Sequence, residues 1–242
     1  MSRTVLITGG ATRIGGVISK GLTADGWTVI IHYGRSQNAA KGLVEELKSN
    51  GGQAVAVGCN LNVPQDLNTL VERSADAAGK PLTALINNAS VFNNDAADNF
   101  SSALFDHHMI VNLKAPLLLA QAFARQLPKE NQGNIINLID QRVLKPDPDF
   151  FTYSLSKSGL KWATQTMAQS YAPNIRVNAI GPGPTLKNHM QSDAEFEQEK
   201  ASTLLGDGSP PDQILHGVRY LLSATAVTGQ MIAVDGGQHL SG

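Results

Sequence analysis

Short apolar runs rich in β-branched residues alternate with longer amphipathic stretches along the whole chain, and few folds satisfy that alternation. Val5-Leu6-Ile7-Thr8, Trp27 to Tyr33, Ala54-Val55-Ala56-Val57, Ala84-Leu85-Ile86-Asn87, Asn134 to Ile139, Ile175 to Ile180 and Met231-Ile232-Ala233-Val234 read as seven strands. Helical patterns lie between them, from about Ile14 to Ala24, Asn38 to Ser49, from Pro64 onward, Asp106 to Gln126 and Tyr153 to Tyr171. Parallel strands need crossover connections, and helices supply them. The expected fold is therefore α/β, a doubly wound sheet of seven mainly parallel strands with helices on both faces. No Pro- or Ser-rich linker and no short repeat interrupts the pattern, so residues 1–242 are expected to form one domain.

Composition excludes several functions. Lys and Arg total 19 against 20 Asp and Glu, a net charge of -1 with no basic stripe, so an electrostatic nucleic-acid footprint is absent. No run of about 18 apolar residues exists to span a membrane. Cys59 is the only cysteine, which excludes an intrachain disulfide and leaves no metal site expected. Met1-Ser2-Arg3-Thr4 leads into the first strand without a signal-peptide pattern, so a cytoplasmic protein is the expectation. Charged residues are 16% of the chain, below the roughly 25% of ordinary soluble proteins, which points to surface buried between subunits.

Thr8-Gly9-Gly10-Ala11-Thr12-Arg13-Ile14-Gly15 joins the first strand to its helix. Glycines there let the backbone approach a pyrophosphate resting on the helix N-terminus, although such a turn is often only a turn. The end of the second strand is more informative. An NAD site places an acid about 20 residues past the glycines, against the ribose 2′-hydroxyl. Here His32-Tyr33-Gly34-Arg35-Ser36 holds no acid. A guanidinium and a hydroxyl bind a 2′-phosphate that a carboxylate would repel. Arg35 alone reads as a solvated loop charge; with the glycine turn it points to NADPH over NADH. The polar segment 185–205 follows a strand's carboxyl end, where open α/β sheets bind ligands, and is expected to form a lid.

Tyr153 and Lys157 lie four apart on a predicted helix and share one face. An ammonium beside a phenol favours the phenolate, making an acid/base group, although Tyr-x-x-x-Lys also arises as plain surface pairing. With Thr8-Gly9 to Gly15, Asn87-Asn88-Ala89, Asn112, Tyr153-Ser154-Leu155-Ser156-Lys157 and Pro182-Gly183, the chain resembles the short-chain dehydrogenase/reductase family over essentially its whole length. The resemblance implies a Rossmann-type seven-stranded sheet, a Tyr–Lys catalytic pair and a homotetramer or homodimer, with the tetramer preferred. It also implies cofactor contacts from Gly9, Arg13, Ile14, Gly15, His32, Tyr33, Arg35, Ser36, Asn60, Leu61, Asn88, Ala89, Ser90, Tyr153, Lys157, Pro182 and Gly183. Asn60 stands where the family often has Asp against the adenine amino group. Asn112 matches the asparagine that organises water near the lysine.

Four departures from the family pattern point to one branch. Asp140 stands thirteen residues before Tyr153, where the family usually has Ser. Ser90 follows Asn87-Asn88-Ala89 and precedes Val91-Phe92. Arg13 replaces a turn glycine, and the second strand ends His-Tyr-x-Arg-Ser. Together these resemble pteridine reductases and the related bacterial dihydromonapterin and dihydrofolate reductases. That resemblance implies a catalytic group of Asp140, Tyr153 and Lys157 with Asn112, and substrate contacts from Arg13, Ser90, Phe92, Asp140 and Tyr153, with Phe92 stacking on the pterin. Read alone, Phe92 is a core or interface aromatic and Asp140 a capping or salt-bridged carboxylate. Two further readings stay open: a short-chain reductase of ketones or 3-oxoacyl groups, and a non-catalytic NADP(H)-binding regulator. Trp27, Cys59 and His216 are read as structural, and His189 as a solvent-exposed histidine of the lid.

Overall fold

The computed structural model describes residues 3–188 and 190–241. Seven strands, β1 (Thr4–Ile7), β2 (Thr28–Tyr33), β3 (Gln53–Gly58), β4 (Ala84–Asn87), β5 (Gly133–Leu138), β6 (Ile175–Pro182) and β7 (Met231–Val234), form one sheet in the order β3-β2-β1-β4-β5-β6-β7. Every pairing is parallel, so the expected sheet is present and is parallel throughout. Each strand side is covered. Leu6, Ile30, Leu85, Ile135 and Val177 point to one layer, built with α3 (Pro64–Ala78), α5 (Ala115–Gln126) and α6 (Phe151–Tyr171). Their neighbours Val5, Ile7, Val29, Ile31, Ile86 and Ile136 point to the other, with α1 (Arg13–Ala24), α2 (Gln37–Ser49) and α8 (Pro211–Ser223). Burial on both faces is why these strands read as unbroken apolar runs rather than alternating ones.

Three local features depart from the sequence expectation. The helix expected over Asp106–Gln126 starts earlier, as α4 (Ser102–His108), with the Ser101 side chain accepting from Leu104 N–H at 3.2 Å. It then passes through a wider π-helical turn, Met109–Lys114, before α5. α8 carries Pro211 in its first turn and has no counterpart among the expected helices. α6 begins at Phe151, two residues before Tyr153. Its start is held from a distance: the Asp95 carboxylate accepts from Thr152 N–H at 2.9 Å and from the Thr152 hydroxyl.

In 185–205, a helix α7 (Asp193–Ala201) opens with a capping box in which Ser192 and Glu195 bond reciprocally. α7 buries no residue fully. No helix among the described residues is long and apolar enough to cross a membrane.

The strand order reverses between β1 and β4, and their C-terminal ends open into a crevice there. The glycine turn follows β1 and Asn88-Ala89-Ser90 follows β4, so both face that crevice.

Candidate active site

The glycine turn is built by close backbone approach. Gly9 has φ +61°, and its carbonyl and that of Thr8 accept from the Asn88 carboxamide at 3.2 and 2.8 Å. The Thr8 hydroxyl accepts from Asn88 and Ala89 N–H at 2.9 and 3.0 Å, tying the end of β4 to the turn. A Cβ on Gly15 would lie 2.2 Å from the Gly9 carbonyl, so no side chain fits. α1 starts here with no acidic residue in its first turn and no side-chain cap, leaving its first N–H groups to an anion. Arg13 has φ +52°, the left-handed region that a glycine adopts freely and that costs other residues roughly 1–2 kcal/mol. Its guanidinium donates to the carbonyls of Leu186 and Lys187 at 3.1 and 3.0 Å, joining the turn to the start of the lid segment.

A cavity of about 750 Å³ occupies the crevice. Its wall brings together Gly9, Arg13, Ile14, Gly15, Asn88, Ala89, Ser90, Phe92, Asp140, Tyr153, Lys157, Pro182 and Gly183 from the sequence-derived site. Tyr33, Arg35, Ser36 and Asn60 lie outside this cavity, at the ends of β2 and β3, with Arg35, Ser36 and Asn60 exposed. Ser36 precedes α2 without capping it, so its hydroxyl is not committed to the helix. Asn60 Oδ1 already accepts from Asn62 N and Nδ2 at 3.1 and 3.3 Å.

Three expected site residues lie behind the cavity wall rather than on it. His32 is 2% exposed and faces away from the cavity; Nδ1 accepts from Gly9 N–H at 3.1 Å, so Nε2 donates to the Cys59 carbonyl at 3.0 Å. It props the glycine turn from beneath. Leu61 turns its side chain into the apolar layer around Leu67 and Val111. Asn112, on the π-helical turn, is fully buried and outside the cavity wall: it accepts from Val91 N–H at 2.8 Å and donates to the Val91 carbonyl at 2.9 Å and Ser156 Oγ at 3.1 Å. Its Oδ1 also accepts from Ser90 Oγ at 3.2 Å, so the side chain holds the chain after β4. His189 lies outside the described residues.

The neutral tautomer of His32 has a measurable consequence. Burial lowers its pKa from 6.5 to about 4 against the pull of the Cys59 carbonyl, and a second ring proton would also break the Gly9 bond. The unfolded chain takes that proton near 6.5, so the stability this residue contributes is complete above that pH and is lost as pH falls toward 4. Denaturant unfolding between about pH 7.5 and pH 4 should show a loss of about 3 kcal/mol that the His32→Gln variant lacks. An unchanged slope in the variant would exclude this role.

The other end of the cavity holds the reactive group. Tyr153 and Lys157 share the buried face of α6. The Tyr153 hydroxyl donates to Asp140 Oδ2 at 2.8 Å, and Asp140 Oδ1 accepts from Arg142 N–H at 2.9 Å, opening a short turn over Gln141–Val143. Lys157 Nζ donates to the Leu138 carbonyl at 2.9 Å and stands 5.7 Å from the Tyr153 ring centre. The expected lowering of the phenol pKa by the lysine is not met. Burial, and then the adjoining Asp140 carboxylate, push Tyr153 well above its ordinary value. Burial also raises Asp140, and lowers Lys157 to about 8 against the pull of Asp140. Phe92 meets Tyr153 edge-on at 4.7 Å and stacks on Phe150 at 4.3 Å, with the Arg142 guanidinium 4.7 Å over Phe150.

The sequence reading missed several wall residues, Asn93, Arg142, Asn188, Gln191, Glu199 and Gln238 among them. None sits in a local pattern that marks it. It also missed a buried chain beneath Tyr153, in which Asp95 accepts from Thr152 and Thr152 Oγ1 lies 2.7 Å from His108 Nδ1. No cluster of metal-ligating side chains occurs among the described residues.

A family model described as short chain dehydrogenase matches residues 3–198. The chain is 42% identical to the FolM alternative dihydrofolate reductase 1 of Brucella suis, solved in complex with NADP, covering 99% of this chain and 96% of that one at TM-score 0.96. It is 30% identical to the angucycline C-6 ketoreductase LanV, solved with bound NADP, over 99% of this chain and 96% of that one at TM-score 0.91. It is also 30% identical to glucose 1-dehydrogenase 2 of Bacillus subtilis (strain 168), over 98% of this chain and 95% of the relative.

Proposed function

The chain belongs to the short-chain dehydrogenase family, and within it we propose that the protein is an NADPH-dependent reductase of pterin or dihydrofolate-type substrates. The observation that carries this reading is the 2.8 Å hydrogen bond from Tyr153 to Asp140. Reduction of a carbonyl develops negative charge on oxygen, which a carboxylate beside the proton donor opposes. A ring C=N can instead be protonated ahead of hydride arrival, and a carboxylate beside the proton donor stabilises the positive charge that this places on the ring. The ketoreductase and glucose dehydrogenase names among the relatives support a carbonyl-reductase reading, at 30% identity against 42% for the FolM reductase.

The residues present fit a dinucleotide. The turn at Gly9 and Gly15 has no room for a side chain, and the uncapped start of α1 offers N–H groups to a diphosphate. Arg13, Ile14, Asn88, Ala89, Ser90, Pro182 and Gly183 would line its path, with Arg35 and Ser36 taking the 2′-phosphate, Asn60 near the adenine and Lys157 on the nicotinamide ribose. When bound, the reduced nicotinamide supplies the hydride. Phe92, backed by Phe150, offers a flat apolar surface to a bicyclic ring. Tyr153 delivers a proton to the ring nitrogen. Loss of that proton alone would leave a phenolate beside a carboxylate, two buried like charges. Burial raises the pKa of Asp140, so the Asp140–Tyr153 pair holds its protons as one unit, and a proton taken up from solvent restores the phenol before the next turnover. Lys157, with a pKa of about 8, is cationic at neutral pH and offsets the remaining charge.

In this reading residues 1–242 act as one NADP(H)-binding domain, and the segment 185–205 closes over substrate, latched by Arg13. The low charge content and exposed Trp162, Leu204, Leu205 and Leu240 support a homotetramer, and the single unpaired Cys59 suits a reducing cytoplasm.

The experiment for the substrate is NADPH oxidation by the purified protein with a dihydropterin, dihydrofolate and a diketone side by side; turnover of the diketone alone would remove the reading. For the cofactor, Arg35→Glu should weaken NADPH by roughly 100-fold and NADH only slightly, since it replaces a charge-assisted contact by repulsion. Fluorescence titration measures both, and equal losses would remove the 2′-phosphate site.

A further inference from the structure

The cavity has a second polar region that the hydride chemistry does not use. Glu199, on α7, lines the cavity with both carboxylate oxygens held: Oε2 accepts from Gln191 Nε2 at 2.7 Å and Oε1 from Gln238 Nε2 at 3.2 Å. These residues come from the loop before α7, from α7 itself and from the C-terminal turn Gln238–Leu240. Asn188 and Phe196 extend the same wall. The nearby basic side chains are committed elsewhere. Lys187 pairs with Asp193 at 2.6 Å, Lys200 with Glu197 at 3.1 Å, and His239 with Asp235 at 2.6 Å. Among the described residues that the lid segment and the C-terminal turn present to the cavity, Glu199 alone is charged.

This chemistry suits hydroxyl groups. Each carboxylate oxygen has lone pairs beyond the one its glutamine occupies, and carboxamides both donate and accept. Hydroxyls that donate to Glu199 and accept from Asn188 or Gln191 leave no group unpaired. A second carboxylate on this wall meets Glu199, the cavity's cations Arg13, Arg142 and Lys157 belonging to other segments, and like charges discriminate strongly where water is partly excluded. We propose that Glu199, positioned by Gln191 and Gln238, sets specificity for the substrate's side chain, selecting a neutral, hydroxyl-bearing substituent and rejecting one that ends in carboxylates. The proposal rests on the pterin reading of the same cavity.

The test compares kcat/KM for dihydrobiopterin, whose side chain is a neutral diol, with that for dihydrofolate, which ends in a glutamate. The native protein should favour dihydrobiopterin, and Glu199→Gln should shift the ratio toward dihydrofolate by roughly tenfold, chiefly through KM. Raising salt from about 20 to about 500 mM should move the native ratio in the same direction, because screening weakens the repulsion; this arm needs no variant to fold. Equal changes for both substrates in Glu199→Gln, a ratio insensitive to salt, or a native preference for dihydrofolate would each overturn the proposal while leaving the reductase intact. Turnover of neither substrate by the native protein would overturn the pterin reading and this proposal together.

Discussion

Tyr153→Phe should lower dihydropterin reduction by about a thousandfold, the scale expected for losing a positioned general acid. Among the described residues of the cavity wall, the phenol is the one group that pairs a transferable proton with a carboxylate partner, through its 2.8 Å bond to Asp140. Phenylalanine keeps the ring against Phe92, so the aromatic packing survives. The loss should fall on kcat, with the NADPH Kd changing by less than about tenfold, because the diphosphate contacts lie at the glycine turn. Asp140 would lose a donor in a buried setting, so a stability loss of about 1–3 kcal/mol accompanies the change. Stopped-flow NADPH oxidation with a saturating dihydropterin, alongside thermal unfolding, separates the two effects. A variant retaining a tenth of native kcat would show that another group supplies the proton.

Much of this site was legible in the sequence because its positions are set by local geometry. Tyr153 and Lys157 share a face by helical spacing alone. Asp140 lies two residues past β5 and Tyr153 in the first turn of α6, so the short turn and loop between them brings both to one spot. The seven strands were readable because a parallel sheet buried on both faces needs continuous apolar runs. What escaped depends on contacts far apart in the chain. The family resemblance marks His32 and Asn112 as site residues, but direction decides their work. His32 points down to Gly9 and Cys59, and Asn112 turns to Val91 and Ser156, each holding a cavity element from behind. The start of α6 lacks a local cap because Asp95 supplies it from 57 positions away. Glu199 sits in a polar helix of ordinary composition, and only the fold brings Gln238 to it. The helical pattern over Asp106–Gln126 conceals the π-helical turn, since one extra residue per turn leaves no compositional trace.

Asp140→Ser is the second large effect, and it bears on the choice of substrate. Serine restores a neutral hydroxyl beside Tyr153, the partner that a developing alkoxide prefers, and removes the carboxylate that favours a new ring N–H. It also removes burial of a group whose pKa is raised, so folding should be preserved or improved. Dihydropterin turnover should fall by about 100-fold, the lower range for losing a partner in acid–base catalysis, while diketone turnover holds or rises. The measurement is the ratio of kcat/KM for a dihydropterin to that for a diketone, in the native protein and in Asp140→Ser, with saturating NADPH. A native ratio far above one that collapses in the serine variant is the result expected. A serine variant that reduces the dihydropterin as well as the native protein would show that the Asp140–Tyr153 pair does not define this enzyme's chemistry.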